Sequence, residues 1–217
     1  MRRHWGILAK GLFAGLILSL AVGMVFPSQR AEAQRVAELQ AGINVAAAGG
    51  QDVCWLVQQL VQAAVGEGVD VNVSVRAALR GGVQAAAAAG QDAVAVAQRA
   101  ASCAVQGAAA AGLDVAAVAW AASEGAVLGA ADAGVEVGPI AEGASQGAVA
   151  GAQAAGLDPT TVQEVATASV SGVETAAREV VPEGVREAVV AAAAGAAEAS
   201  LELDTQTSQE LASPSGT

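Results

Sequence analysis

Tyrosine is absent from these 217 residues, and histidine and lysine occur once each, as His4 and Lys10. Aromatic residues make up only 2% of the chain. Beyond the first 33 residues neither histidine nor lysine remains, so general bases and zinc ligands reduce to carboxylates. No phosphate-binding loop, EF-hand loop, nucleophile elbow or Cys-x-x-Cys pair is present. Cations are scarce as well: 10 Lys and Arg stand against 21 Asp and Glu, for a net charge of −11. Such a chain repels nucleic-acid phosphates and anionic lipid, and suits basic or cationic partners.

Residues 1–33 carry the pattern of an export signal. Arg2, Arg3 and Lys10 form a basic start, and residues 11–26 (GLFAGLILSLAVGMVF) are an uncharged apolar run. Pro27 breaks the run, and Ala31-Glu32-Ala33 offers small residues at the two positions a signal peptidase reads. The run is shorter than the ~20 residues of a comfortable membrane span, which favours cleavage after Ala33 over a retained anchor. The expected location is therefore periplasmic, cell-surface or extracellular, with no stable membrane insertion once the signal is cut. Loss of the signal leaves six arginines against twenty acids.

What the chain has in abundance is alanine, valine and 26 glycines, and these are ordered. Residues 112–133 read GLDVAAVAWAASEGAVLGAADA, and the opening Gly-x-acid recurs every 22 residues at Gly68, Gly90, Gly112, Gly134 and Gly156. The acids two positions on are Asp70, Asp92, Asp114, Glu136 and Asp158, and Gly50-Gln51-Asp52 opens a shorter unit of the same kind. A fixed period of this size marks stacked units that bury their apolar faces against one another. Each glycine suits a left-handed residue closing a helix, and each acid suits the N-cap of the next. Val96, Val118, Ile140 and Val162 recur at one phase, with Ala100, Ala122, Ala144 and Ala166 four residues later as one buried face.

A second run of glycines, including Gly81, Gly125 and Gly147, suggests a break in mid-unit, with Ser123, Ser145 and Thr167 placed to cap a following helix. Each unit is then a pair of helices of roughly 8–9 residues, too short to stand alone. The Gly125-x-x-x-Gly129 and Gly147-x-x-x-Gly151 ridges suit close helix packing. The expected fold is all-α: a solenoid of short helix-turn-helix repeats packed through Ala, Gly and Val. Residues 34–49 form a capping helix, 50–177 the repeat array, 178–203 a second cap, and 204–217 a disordered tail.

Few residues carry candidate chemistry. The six acids Asp52, Asp70, Asp92, Asp114, Glu136 and Asp158 read as N-caps that line one edge of the stack, too far apart to share a cation. Trp120 occupies a phase held elsewhere by Arg76, Gln98, Glu142 and Glu164, so it is expected to be partly exposed, either lying flat over its Ala-rich neighbours or as a candidate anchor for a partner. Trp55 is expected to fill the end of the core. Cys54 and Cys103 invite a disulfide in an exported chain, but they lie two units apart. Units stacked at ~10 Å would leave them about 20 Å apart, well beyond bridging distance, which leaves two small buried thiols as the alternative.

These features imply a non-enzymatic protein with no catalytic, cofactor or metal site. The expected role is an exported acidic scaffold that binds a protein or another envelope macromolecule. Self-association into a surface layer or filament is the alternative.

Overall fold

The computed structural model describes the backbone of residues 27–212 and the side chains of residues 34–202. The described residues form eight helices and no strand, packed as a helical bundle. They are α1 (Pro27–Ala48), α2 (Cys54–Glu67), α3 (Val71–Ala88), α4 (Ala93–Ala110), α5 (Val115–Ala133), α6 (Val137–Ala154), α7 (Pro159–Val180) and α8 (Glu183–Ala212). The apolar run of residues 11–26 lies outside the described residues. No helix among them is long and apolar enough to cross a membrane.

Stop and start signals act together at each corner. Gly112 adopts φ +67°, which costs a residue without Cβ nothing, and the next amide, on Leu113, reaches back to the Ala108 carbonyl at 3.0 Å. Gly50, Gly68, Gly90, Gly134 and Gly156 take the same conformation. Two residues after Gly112, Asp114 restarts the chain by accepting from the Ala117 amide at 3.0 Å.

The helices between these corners are unbroken, and this overturns the paired short helices expected above. Residues 71–88, 93–110 and 137–154 each form one helix of 18 residues, running straight through Gly81, Cys103 and Gly147. A mid-helix glycine costs about 1 kcal/mol in propensity relative to alanine. Here that cost is offset by packing, because the missing Cβ lets a neighbouring backbone approach. Ser123 and Ser145 accordingly cap nothing: both are fully buried within helices. Thr167 donates to the Gln163 carbonyl in its own helix at 3.0 Å.

Neighbours in space are not neighbours in sequence. Each helix packs most extensively on the helix two places along the chain, so α1, α3, α5 and α7 form one row and α2, α4, α6 and α8 the other. Gly125 faces the Arg76 backbone and Gly129 faces Arg80 one turn on; Gly147 and Gly151 face Gln98 and Ser102 in the same way. A constant offset over successive turns means that helices within a row are parallel. The short corners then make the two rows antiparallel.

The core is thin-walled and dense. Its largest fully buried side chains are Ile43, Leu60, Leu79 and Ile140, set among valines and alanines. α5 is the most enclosed helix, with residues 121–130 buried without interruption, as expected of a helix apolar on nearly every side and packed by both rows. At the far end α8 continues to Ala212, so the unstructured tail expected from residue 204 is helical as far as the described residues go.

Candidate functional site

The acids expected at helix starts fall into three groups. Asp70, Asp92 and Asp114 each accept from the backbone amide three residues on, at 3.0–3.1 Å. Asp158 does more: one oxygen takes the Thr160 and Thr161 amides at 3.0 and 3.1 Å, and the other takes the Thr161 hydroxyl at 2.6 Å. The Thr161 hydroxyl and these amides hold the Asp158 carboxyl below the usual carboxylate range.

Asp52 and Glu136 depart from the N-cap role. Val53 occupies the N-cap of α2, while Asp52 accepts from the Cys54 amide at 2.9 Å and pairs with Arg99 at 3.4 Å. Glu136 has the N-cap backbone of α6 but makes no side-chain cap bond, because its extra methylene carries the carboxylate past the amides. Glu136→Asp is therefore expected to stabilise the protein by about 0.5–1 kcal/mol, read as a higher urea midpoint with unchanged slope. An unshifted midpoint would show that α6 gains nothing from a cap. Because the rows are antiparallel, the acids also alternate: Asp70, Asp114 and Asp158 lie at one edge of the bundle, and Asp52, Asp92 and Glu136 at the other. The single acidic edge expected from the repeat is thus split in two.

The cysteines are joined. Cys54 of α2 and Cys103 of α4 form a disulfide with Cα atoms 5.3 Å apart. The ~20 Å separation expected from stacked units does not hold, for two reasons. Helices two places apart are direct neighbours, and they approach far closer than the spacing of ordinary side-chain packing. The bridge has the 49-residue separation of the contacts from Arg76 to Gly125 and from Gln98 to Gly147, and occupies the equivalent place between α2 and α4.

Trp120 is half-buried on α5, and its backbone carbonyl is the surface against which Gly172 of α7 packs. Trp55, expected in the core, is 66% exposed on α2. The end of the core is filled instead by Val53, Val57, Leu60 and Val61. Ser74 is buried, and its hydroxyl donates to the Asp70 carbonyl at 2.9 Å.

Several polar links between helices gave no periodic signal in the sequence. Arg80 grips Asp132 across α3 and α5 through two bonds, at 2.5 and 3.1 Å. That guanidinium holds the Asp132 carboxyl below its ordinary range, and the Arg80 pKa is raised in turn. Arg76 reaches Glu124 at 3.1 Å, which gives this acid a partner within an otherwise apolar helix. The hydroxyls of Ser123, Ser169 and Ser145 form a buried chain at 2.8 and 2.9 Å that ties α5, α7 and α6 together.

Among the grooves on the surface of the described residues, two lie at helix starts. One, of about 430 Å³, lies between the start of α6 and the α7–α8 corner, lined by Val137, Pro139, Val181, Val185 and Val189 with Glu136 at its side. Its walls suit an apolar group. The other, of about 320 Å³, lies where α2 and α4 begin, and there Asp52 is already paired with Arg99. No group of three or more potential metal ligands occurs among the described residues. Protein-family models, curated proteins and solved structures were all compared with this chain, and none matches it.

Proposed function

We propose that this protein is an exported, acidic α-solenoid that acts as a non-catalytic scaffold, presenting the rows of its stack to another macromolecule. The observation that carries this is that each helix packs chiefly on the helix two places along the chain. The same glycine-to-backbone contact recurs from α3 to α5 and from α4 to α6, as it would in an array that grows by addition of like layers. The corners recurring at a 22-residue step fit the same account, with one helix per step and two helices per layer. The disulfide suits an oxidising compartment, where such bridges persist.

Trp120 is the binding residue this account favours. It sits half-buried on the most enclosed helix, so its position is fixed, and rigid aromatic anchors of this kind dominate interface energies. Affinity capture from the native envelope with wild type and Trp120→Ala tests the assignment. Wild type is expected to retain a macromolecular partner that Trp120→Ala retains at least tenfold less, with helical circular dichroism unchanged. Identical partner sets would remove Trp120 from the account, and capture of nothing by wild type would remove the scaffold.

A further inference from the structure

Bulky apolar side chains are exposed mainly at one end of the molecule. Val45, Trp55, Val65 and Val73 all fall in the first three helices, and Val45 and Trp55 are the most exposed, at 73% and 66%. Trp55 starts a stripe along the outer side of α2, in which Gln59, Gln62 and Val65 follow at three- or four-residue steps, exposed or half-buried. Apart from the bridged Cys54, the only ionisable side chain of α2 is Glu67, its last residue. On α1, Ala37, Ala41 and Val45 are exposed at four-residue steps, and the exposed Glu38, on the same side two turns before Val45, accepts from the Gln34 side-chain amide at 3.0 Å. Leu56 of α2 stands over Gly42 of α1, so the two stripes belong to one end face. Both helices come first in their rows, and among the described residues each has a row neighbour on one side only.

Charge is distributed in the opposite sense. Residues 34–111 hold four arginines and five acids, whereas residues 112–217 hold two arginines and fifteen acids. The surplus negative charge thus lies at the end remote from Trp55. Copies meeting at their acidic ends would repel, and a head-to-tail contact would set a charged, hydrated end against the apolar stripes of the next copy. A contact between two α1–α2 ends buries the apolar stripes of both copies against each other and leaves both acidic halves pointing away from the contact. A self-complementary patch of this kind closes with two-fold symmetry.

We infer that the protein is a homodimer joined through the outer faces of α1 and α2, with Trp55 of each copy buried against the partner's stripe. Trp55 and Val45 form the apolar centre, and the glutamines form its polar surround. This goes beyond the scaffold role and does not rest on it, since no third component enters its test.

Sedimentation velocity of the full chain, as the cell processes it, decides the matter from nanomolar to high micromolar concentration. Wild type is expected to reach a dimer and no larger species. Trp55→Glu and Val45→Glu are each expected to weaken dimerisation at least about thirtyfold. Their exposed positions predict unchanged circular dichroism, and Trp120→Ala is expected to leave the dimer intact. The inference is overturned by a monomer at the highest concentration, by mass that grows past two copies, or by a dimer indifferent to both substitutions. It is equally overturned if the chain binds phosphatidylcholine vesicles as a monomer and Trp55→Glu abolishes that binding, since the face would then belong to a membrane.

Discussion

Gly147→Ala, the addition of one methyl group, is expected to destabilise the protein by about 3 kcal/mol, at the upper end of ordinary overpacking. A Cβ on Gly147 would lie 2.9 Å from the Gln98 Cα and closer still to the Gln98 carbonyl. The obstacle is backbone, so no side chain can turn aside; α4 and α6 must separate along their whole contact. For a chain of this size the midpoint of thermal unfolding should fall by roughly 6–12 °C. Gly195→Ala provides the control. Nothing lies within 4 Å of a Cβ there, and Gly195 sits inside α8. That substitution should stabilise the protein by up to about 1 kcal/mol, the helix-propensity gain of alanine over glycine. Equal effects at the two sites would show that glycine in these helices serves something other than close approach.

Loss of the disulfide should have the other large effect. The bridge closes a loop between residues 49 apart, for which the chain-entropy model gives about 4 kcal/mol. The loss should also be local. Between α2 and α4 the bridge stands where later pairs seat a glycine on a backbone carbonyl, and Gly107, the α4 glycine facing Val61, makes only an ordinary van der Waals contact. With Cys54 and Cys103 both replaced by alanine, amide exchange should rise in α1 and α2 while the enclosed amides of α5 stay protected. Uniform acceleration across the chain would mean that the molecule unfolds as one unit. An unshifted midpoint would mean that the bridge adds nothing to the packing of α2.

The corners of this fold were legible because they rest on local chemistry. Gly112 followed by Asp114 is a complete stop-and-start signal within three residues, and the regular valines and alanines mark the faces that are buried. Gly125 and Gly147 were misread because a glycine that ends a helix and one that admits a neighbouring backbone look alike in one dimension. Their different roles depend on what lies 49 residues away. The cysteine pair was obscured by the same limitation, since the alternation of rows makes the second unit along the chain, not the first, the close neighbour. Trp55 defied its apolar character because the smaller Val53, Val57 and Leu60 already fill that end of the core. Bonds such as Arg80 to Asp132 depend on a register that only the packed rows establish.

The 49-residue spacing between touching positions has one more geometric effect. Equivalent positions two helices along are 44 residues apart, so α4, α5 and α6 each slip five residues, about 7.5 Å, along the axis of the helix before them in their row. Because the rows point in opposite directions, they slip in opposite directions. Row neighbours from α2 to α6 are therefore stepped rather than level, and the carboxylates that open them, such as Asp70 and Asp114 in one row, are stepped with them.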